Sequence, residues 1–122
     1  MITHSFDKNI YKVIYSGIVN FEEIINFLHE FSHIENLPKK LSLLYDLRDA
    51  DLKVAPNELK KMSQVAEEST KKYTSVKTAF LVDDPKITAY STLFSNQSVE
   101  KKTERKTFST MEAALKWLNP SE

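Results

Sequence analysis

Leu41-Ser-Leu-Leu-Tyr-Asp-Leu-Arg-Asp-Ala-Asp51 decides how this chain folds: an apolar run turns at Asp46 into a carboxylate-rich segment, and a helical pattern follows. Bounded apolar runs of this length next to helices belong to the buried strands of α/β sheets. The pattern predicts a strand from Leu41 to Tyr45 that ends in an acidic loop. In open α/β sheets, functional groups gather at the carboxyl ends of the strands, so Asp46, Arg48, Asp49 and the nearby Asn57 are the first candidates for a contact surface.

Upstream, Ile2 to Phe6 alternates weakly, Asp7-Lys-Asn9 supplies turn residues, and Ile10 to Ser16 alternates again, which predicts an opening hairpin. Gly17 is the single glycine of the chain and is read as a bulge or a close backbone approach. Asn20 is placed to cap a helix, with Glu23 three positions on as its reciprocal partner. Phe21, Ile24, Ile25, Leu28 and Phe31 form that helix's apolar stripe, which predicts a helix reaching Ile34.

Downstream, Pro56 suits a first helical position, and Leu59, Met62, Ala66, Ser69 and Tyr73 recur at steps of three and four. Val76 to Val82 reads as a further strand. Asp84-Pro85 starts a third helix whose buried side is drawn through Ile87, Tyr90, Leu93 and Phe94, and the polar run from Ser95 to Lys102 ends it. Arg105 to Phe108 reads as a last strand. Ser109-Thr-Met-Glu112 reads as a capping box for a helix over Ala113 to Leu118, stopped by Asn119-Pro120. No linker or repeat interrupts this order, so residues 1–122 are expected to form one domain.

Composition narrows the chemistry. A chain of 122 residues is one domain by size and buries about two-thirds of the surface exposed when unfolded. There is no Cys, which excludes disulfides, thiolate nucleophiles, zinc fingers and iron–sulfur clusters. Lys plus Arg and Asp plus Glu are each 17, for a formal charge of zero, so no global field gathers nucleic acid. Lys60-Lys61, Lys71-Lys72 and Lys101-Lys102 with Arg105-Lys106 are interspersed with Glu67, Glu68, Glu100 and Glu104, as on a solvated face. The amino terminus has no basic region followed by an apolar core, and no apolar run approaches the about 20 residues that span a bilayer, so a cytoplasmic protein without an integral membrane segment is expected.

Val13-Ile-Tyr-Ser-Gly-Ile-Val19, Leu44-Tyr-Asp-Leu47, Lys77-Thr-Ala-Phe-Leu-Val82 and Phe108-Ser-Thr-Met-Glu-Ala-Ala-Leu-Lys-Trp-Leu118, in this order of elements, resemble the SpoIIAA-like proteins, relatives of the STAS domains of anti-sigma-factor antagonists. The last string, an aromatic strand end followed by an alanine-rich helix closing in Trp-Leu, is the most telling. The resemblance implies an α/β two-layer sandwich, a mixed sheet of about five strands with about four helices. It also implies that the sporulation antagonists' phosphorylatable serine falls near Ala55, which has no hydroxyl. Ser42 and Ser63 lie elsewhere, so a phosphoswitch is not expected. The wider group includes proteins whose folds are compared with lipid-binding CRAL-TRIO domains.

Two further patterns bear on chemistry. His29-Glu30-Phe-Ser-His33 matches the H-E-x-x-H zinc-peptidase pattern literally. With the stripe centred near Leu28 and an advance of about 100° per residue, Glu30 and His33 fall on the far side and His29 at its margin. The third ligand that a catalytic zinc needs has only Glu35 or His4 as candidates. Asp46, Asp49, Asp51, Asp83 and Asp84 gather carboxylates at strand ends, where oxygen ligands suit Mg²⁺. The plainer assignment is that Asp84 caps a helix and Asp46 pairs with Arg48. One glycine cannot build a phosphate-cradling loop. Asn96-Gln-Ser98 matches a glycosylation acceptor with no secretory signal to serve it.

The expected function is therefore a non-catalytic protein-interaction or regulatory module without metal or cofactor, which meets a protein partner or a second copy through Asp46, Arg48, Asp49 and Asn57. The alternative is a carrier of a small apolar ligand or lipid in a pocket walled by Tyr90, Leu93 and Phe94. A closed pocket of about 300 Å³ or more favours the carrier. An exposed apolar patch favours assembly.

Overall fold

Strands Ile2–Asp7 (β1) and Ile10–Asn20 (β2) form the opening hairpin. Lys8 and Asn9 join them with φ of 51° and 66°, the paired left-handed geometry whose twist matches that of the strands. The computed structural model describes residues 1–98 and 100–119. β2 runs straight through Gly17, which has φ 65°. A Cβ built there would meet nothing within 4 Å, so the glycine serves the left-handed backbone and not a close approach.

Helix α1 covers Phe21–Phe31 and buries Ile24, Phe27, Leu28 and Phe31. The Asn20 side chain caps it, accepting from the Glu23 N–H at 2.9 Å. The helix stops at Phe31, three residues before Ile34, where the chain turns to reach the next strand.

The largest departure from the sequence reading is β3, which extends over Lys40–Lys53. The carboxylate-rich segment is not a loop. It continues the strand against β2, with Asp49 opposite Ser16 and Asp51 opposite Ile18. Between the pairs Ile14–Asp46 and Ser16–Asp49, β3 carries one more residue than β2, which makes a bulge. The bulge explains the misreading. Leu41, Leu43, Tyr45 and Leu47 are buried on odd numbers, whereas Leu52 and Val54 are buried on even ones. One extra residue lets both rows face the same core while Arg48, Asp49, Asp51 and Lys53 stay exposed.

A single 3₁₀ turn, Pro56–Glu58, precedes α2, Leu59–Ser69. Glu58 Oε1 accepts from the Ala55 N–H at 2.7 Å. Beyond α2, Lys102 Nζ donates to the carbonyls of Thr70, Lys71 and Tyr73 at 3.2, 3.1 and 2.9 Å, satisfying acceptors that the helix end leaves open. Next come β4, Ser75–Leu81, and α3, Pro85–Ser95, then β5, Thr103–Phe108, and α4, Met111–Leu118. Asp84 caps α3 as read. α3 buries only Ile87 and Ser91, and Leu93, placed on its inner side from the sequence, is 45% exposed. The cap of α4 is Thr110, whose side chain accepts from the Ala113 N–H, one residue later than the Ser109 box implied. Asn119 closes α4 with its N–H on the Leu115 carbonyl, while Pro120 lies outside the described residues.

The sheet order is β1-β2-β3-β4-β5, antiparallel at the first pair and parallel thereafter. Successive parallel strands step in one direction, and right-handed crossovers then carry α1, α2 and α3 to the same face. There their apolar sides share one core with Tyr11, Val13, Tyr15, Leu43, Tyr45 and Phe80. This pair of layers is the sandwich expected. α4 packs on the opposite face, where Ala114 and Leu118 meet Ile10, Leu44, Ala79 and Leu81.

Candidate functional site

α4 lies over β4 and β5 and reaches Ile10 and Leu44, but it leaves the rest of the β1–β3 half of its face open. Along the outward row of β2, exposure rises from 3% at Ile10 to 44% at Ile14 and 64% at Ile18. Ile14 stands in register with Asp46, and Ile18 with Asp51. Parallel strands are ordinarily covered on both faces, so a parallel pair that presents two isoleucines to solvent departs from the usual pattern.

Charges rim this patch. Arg48 Nε donates to Asp46 Oδ1 at 3.0 Å and Nη2 donates to Oδ2 at 2.9 Å, a two-pronged pair to which the Arg48 N–H adds a third bond. These hydrogen bonds hold the Asp46 carboxyl below its ordinary value against the opposing effect of its partial burial. The same bonds raise Arg48, with smaller help from the fields of Asp49 and Asp83. Lys53 pairs with Asp51 at 3.5 Å. Asp46 therefore faces an arginine, not an open cation site, and Asp84 is engaged by the α3 amides. Asn57 is exposed in the 3₁₀ turn that leads into the helical layer, on the other side of the sheet from Asp46. The four strand-end residues thus do not share one face with α2. Asp46 and Arg48 belong to the open sheet half, and Asn57 does not.

Tyr90 and Phe94 come together elsewhere, half-buried on α3 over a cavity of about 70 Å³ between the helical layer and the sheet. Leu28, Tyr45 and Phe80 form much of its floor. Burial raises the Tyr45 phenol well above its ordinary value, opposed by the field of Arg105. The cavity is far short of the about 300 Å³ that a carried ligand needs. Leu93, expected as a wall, points away. Arg105 is the residue that sequence reading missed: on a charged edge strand it looked solvated, yet the Thr103, Arg105, Thr107 row faces the helices.

His29, Glu30 and His33 are exposed, as their helical phase implied. His33 Nδ1 lies 2.9 Å from the His29 carbonyl oxygen, so its ring turns to backbone beyond the helix end. His4, the remote ligand candidate, stacks on Tyr11 and sits 2.6 Å from its hydroxyl. Among the described residues no three His, Asp or Glu side chains cluster as a metal site would require, and no helix is long and apolar enough to cross a membrane.

Comparison with solved structures places this architecture. The fold is SpoIIAA-like. An uncharacterized protein of the DUF3478 family from Shewanella loihica PV-4, described as having a SpoIIAA-like fold, superposes with a TM-score of 0.61 at 14% identity, covering 97% of this chain and 92% of that one. At that identity the likeness concerns architecture alone. No family model and no curated protein matches the chain.

Proposed function

We propose that this SpoIIAA-like domain is a non-catalytic interaction module whose contact surface is the open half of the sheet, centred on Ile14 and Ile18. One observation carries the reading: two parallel strands, β2 and β3, lack part of the cover that such strands normally have, and the uncovered row of β2 sets Ile14 and Ile18 in solvent on either side of Ser16. The paired charges Asp46–Arg48 and Asp51–Lys53 around it supply the polar rim of a protein interface. Asp49 extends that rim, and Asn57 has no part in it.

The hydroxyl-free Ala55 fits a module that regulates by contact and not by accepting a phosphoryl group. Gel filtration of the protein from its own cells tests the proposal. The wild type is expected to elute in an assembly heavier than its 14.1 kDa chain, and Ile18→Lys to elute at chain mass with its melting curve unchanged. Wild-type protein at chain mass throughout would overturn it.

A further inference from the structure

We infer that the outer edge of β1 pairs with the same edge of a second copy of this chain, antiparallel about a two-fold axis at His4. The pairing uses backbone at the sheet edge and not the isoleucine row, so it stands or falls separately from the proposed interface.

β1 ends the sheet order, and its register with β2 is unbroken from the pair Ile2–Tyr15 to the pair Asp7–Ile10. The Ser16 N–H donates to the Met1 carbonyl at 2.9 Å, which fixes the phase of the ladder. Hydrogen-bonded residues alternate along an antiparallel pair. Met1, Thr3, Ser5 and Asp7 therefore bond toward β2, and the N–H and C=O groups of Ile2, His4 and Phe6 point away from it. An edge that takes no partner is ordinarily guarded by charge, proline or a bulge. β5, the opposite edge, carries Glu104, Arg105 and Lys106 in its middle. From Ile2 to Phe6, β1 carries no acid, lysine, arginine or proline, and no bulge interrupts it.

The order of residues names the occupant. Ile2-Thr-His-Ser-Phe6 reads apolar, hydroxyl, imidazole, hydroxyl, apolar from either end. An isologous contact sets residue i against j and j against i. With His4 opposite itself, Ile2 of one copy meets Phe6 of the other and Thr3 meets Ser5. Each outward residue then faces another outward residue, and every N–H and C=O that β2 leaves open on Ile2, His4 and Phe6 finds a partner. A shift of one residue turns outward groups against inward ones, and a shift of two leaves one end unpaired. Phe6, 42% exposed in the single chain, gains a β-branched cross-strand neighbour. One short strand from each chain is a small contact, so the copies pair at about 0.1–1 mM and separate at the dilution of a gel-filtration column. The Ile18→Lys elution expected above is unaffected.

Sedimentation equilibrium of the full chain up to about 1 mM tests the pairing. Thr3 and Ser5 are exposed, so charges placed there leave the fold intact. Thr3→Lys/Ser5→Lys and Thr3→Glu/Ser5→Glu each set like charges opposite one another twice across the axis, and each alone is expected to associate about tenfold more weakly than wild type. An equimolar mixture of the two is expected to regain wild-type association or better. Ile18→Lys is expected to associate as wild type does. Wild type monomeric throughout, no difference between the charged variants and wild type, a mixture no tighter than its components, or loss of association in Ile18→Lys would each overturn the inference.

Discussion

Arg105 Nη1 stands 2.8 Å from Ser63 Oγ, so the edge strand β5 is bound to the middle of α2 across the layer boundary. Ser63 is almost wholly buried, and removing either partner leaves a polar group without compensation. Arg105→Ala is expected to cost about 2–3 kcal/mol, the range for a lost charge-assisted bond with its orphaned acceptor. Urea unfolding with an unchanged slope checks it.

The bulge in β3 makes a prediction about chain length. Deleting Arg48 removes the extra residue and restores regular pairing, with Leu47 opposite Tyr15 and Asp49 still opposite Ser16. Leu52 and Val54 keep their inward direction. The deletion is expected to cost less than about 2 kcal/mol. Deleting Leu44 instead throws the strand out of phase with its neighbours on both sides and is expected to abolish cooperative unfolding.

This strand also shows how far the sequence was legible. Odd-numbered burial from Leu41 to Leu47 and even-numbered burial at Leu52 and Val54 form one alternating strand with a single phase slip. The charges between the rows invited a loop reading, because a half-buried strand and an acidic loop have the same composition there. Helices α1 and α2, marked by apolar stripes, were readable to within a turn. α3 was readable at its Asp84-Pro85 start but not on its inner side, since few of its residues are buried. The open sheet face depended on where α4 docks, and no local pattern carries that information. Arg105 was hidden because β5 bears charges on both of its faces.

The corrected start of α4 separates two neighbouring residues. Thr110→Ala removes the side chain that accepts from Ala113 and is expected to cost about 1 kcal/mol. Ser109→Ala is expected to stay within about 0.5 kcal/mol. Chemical denaturation of the two variants side by side distinguishes the caps.

The Asp46–Arg48 pair sets a pH dependence. Arg48 hydrogen bonds lower the Asp46 pKa in the folded chain. A depressed folded value contributes stability that is present above the unfolded value and is lost as pH falls through the folded one. Arg48→Gln is therefore expected to return the Asp46 carboxyl toward its ordinary titration and to lessen the fall in stability at acid pH. Side-chain carboxyl NMR of Asp46 reads the first effect, and urea unfolding of both proteins across the acid range reads the second.

Site-specific photocrosslinking from position 18, with position 116 on the outer side of α4 as its control, tests most directly whether the open half of the sheet is covered in the working protein. In the chain's own cells, a discrete protein adduct is predicted from position 18 and none from position 116. Equal labelling from both positions, or no adduct from position 18, would contradict the account.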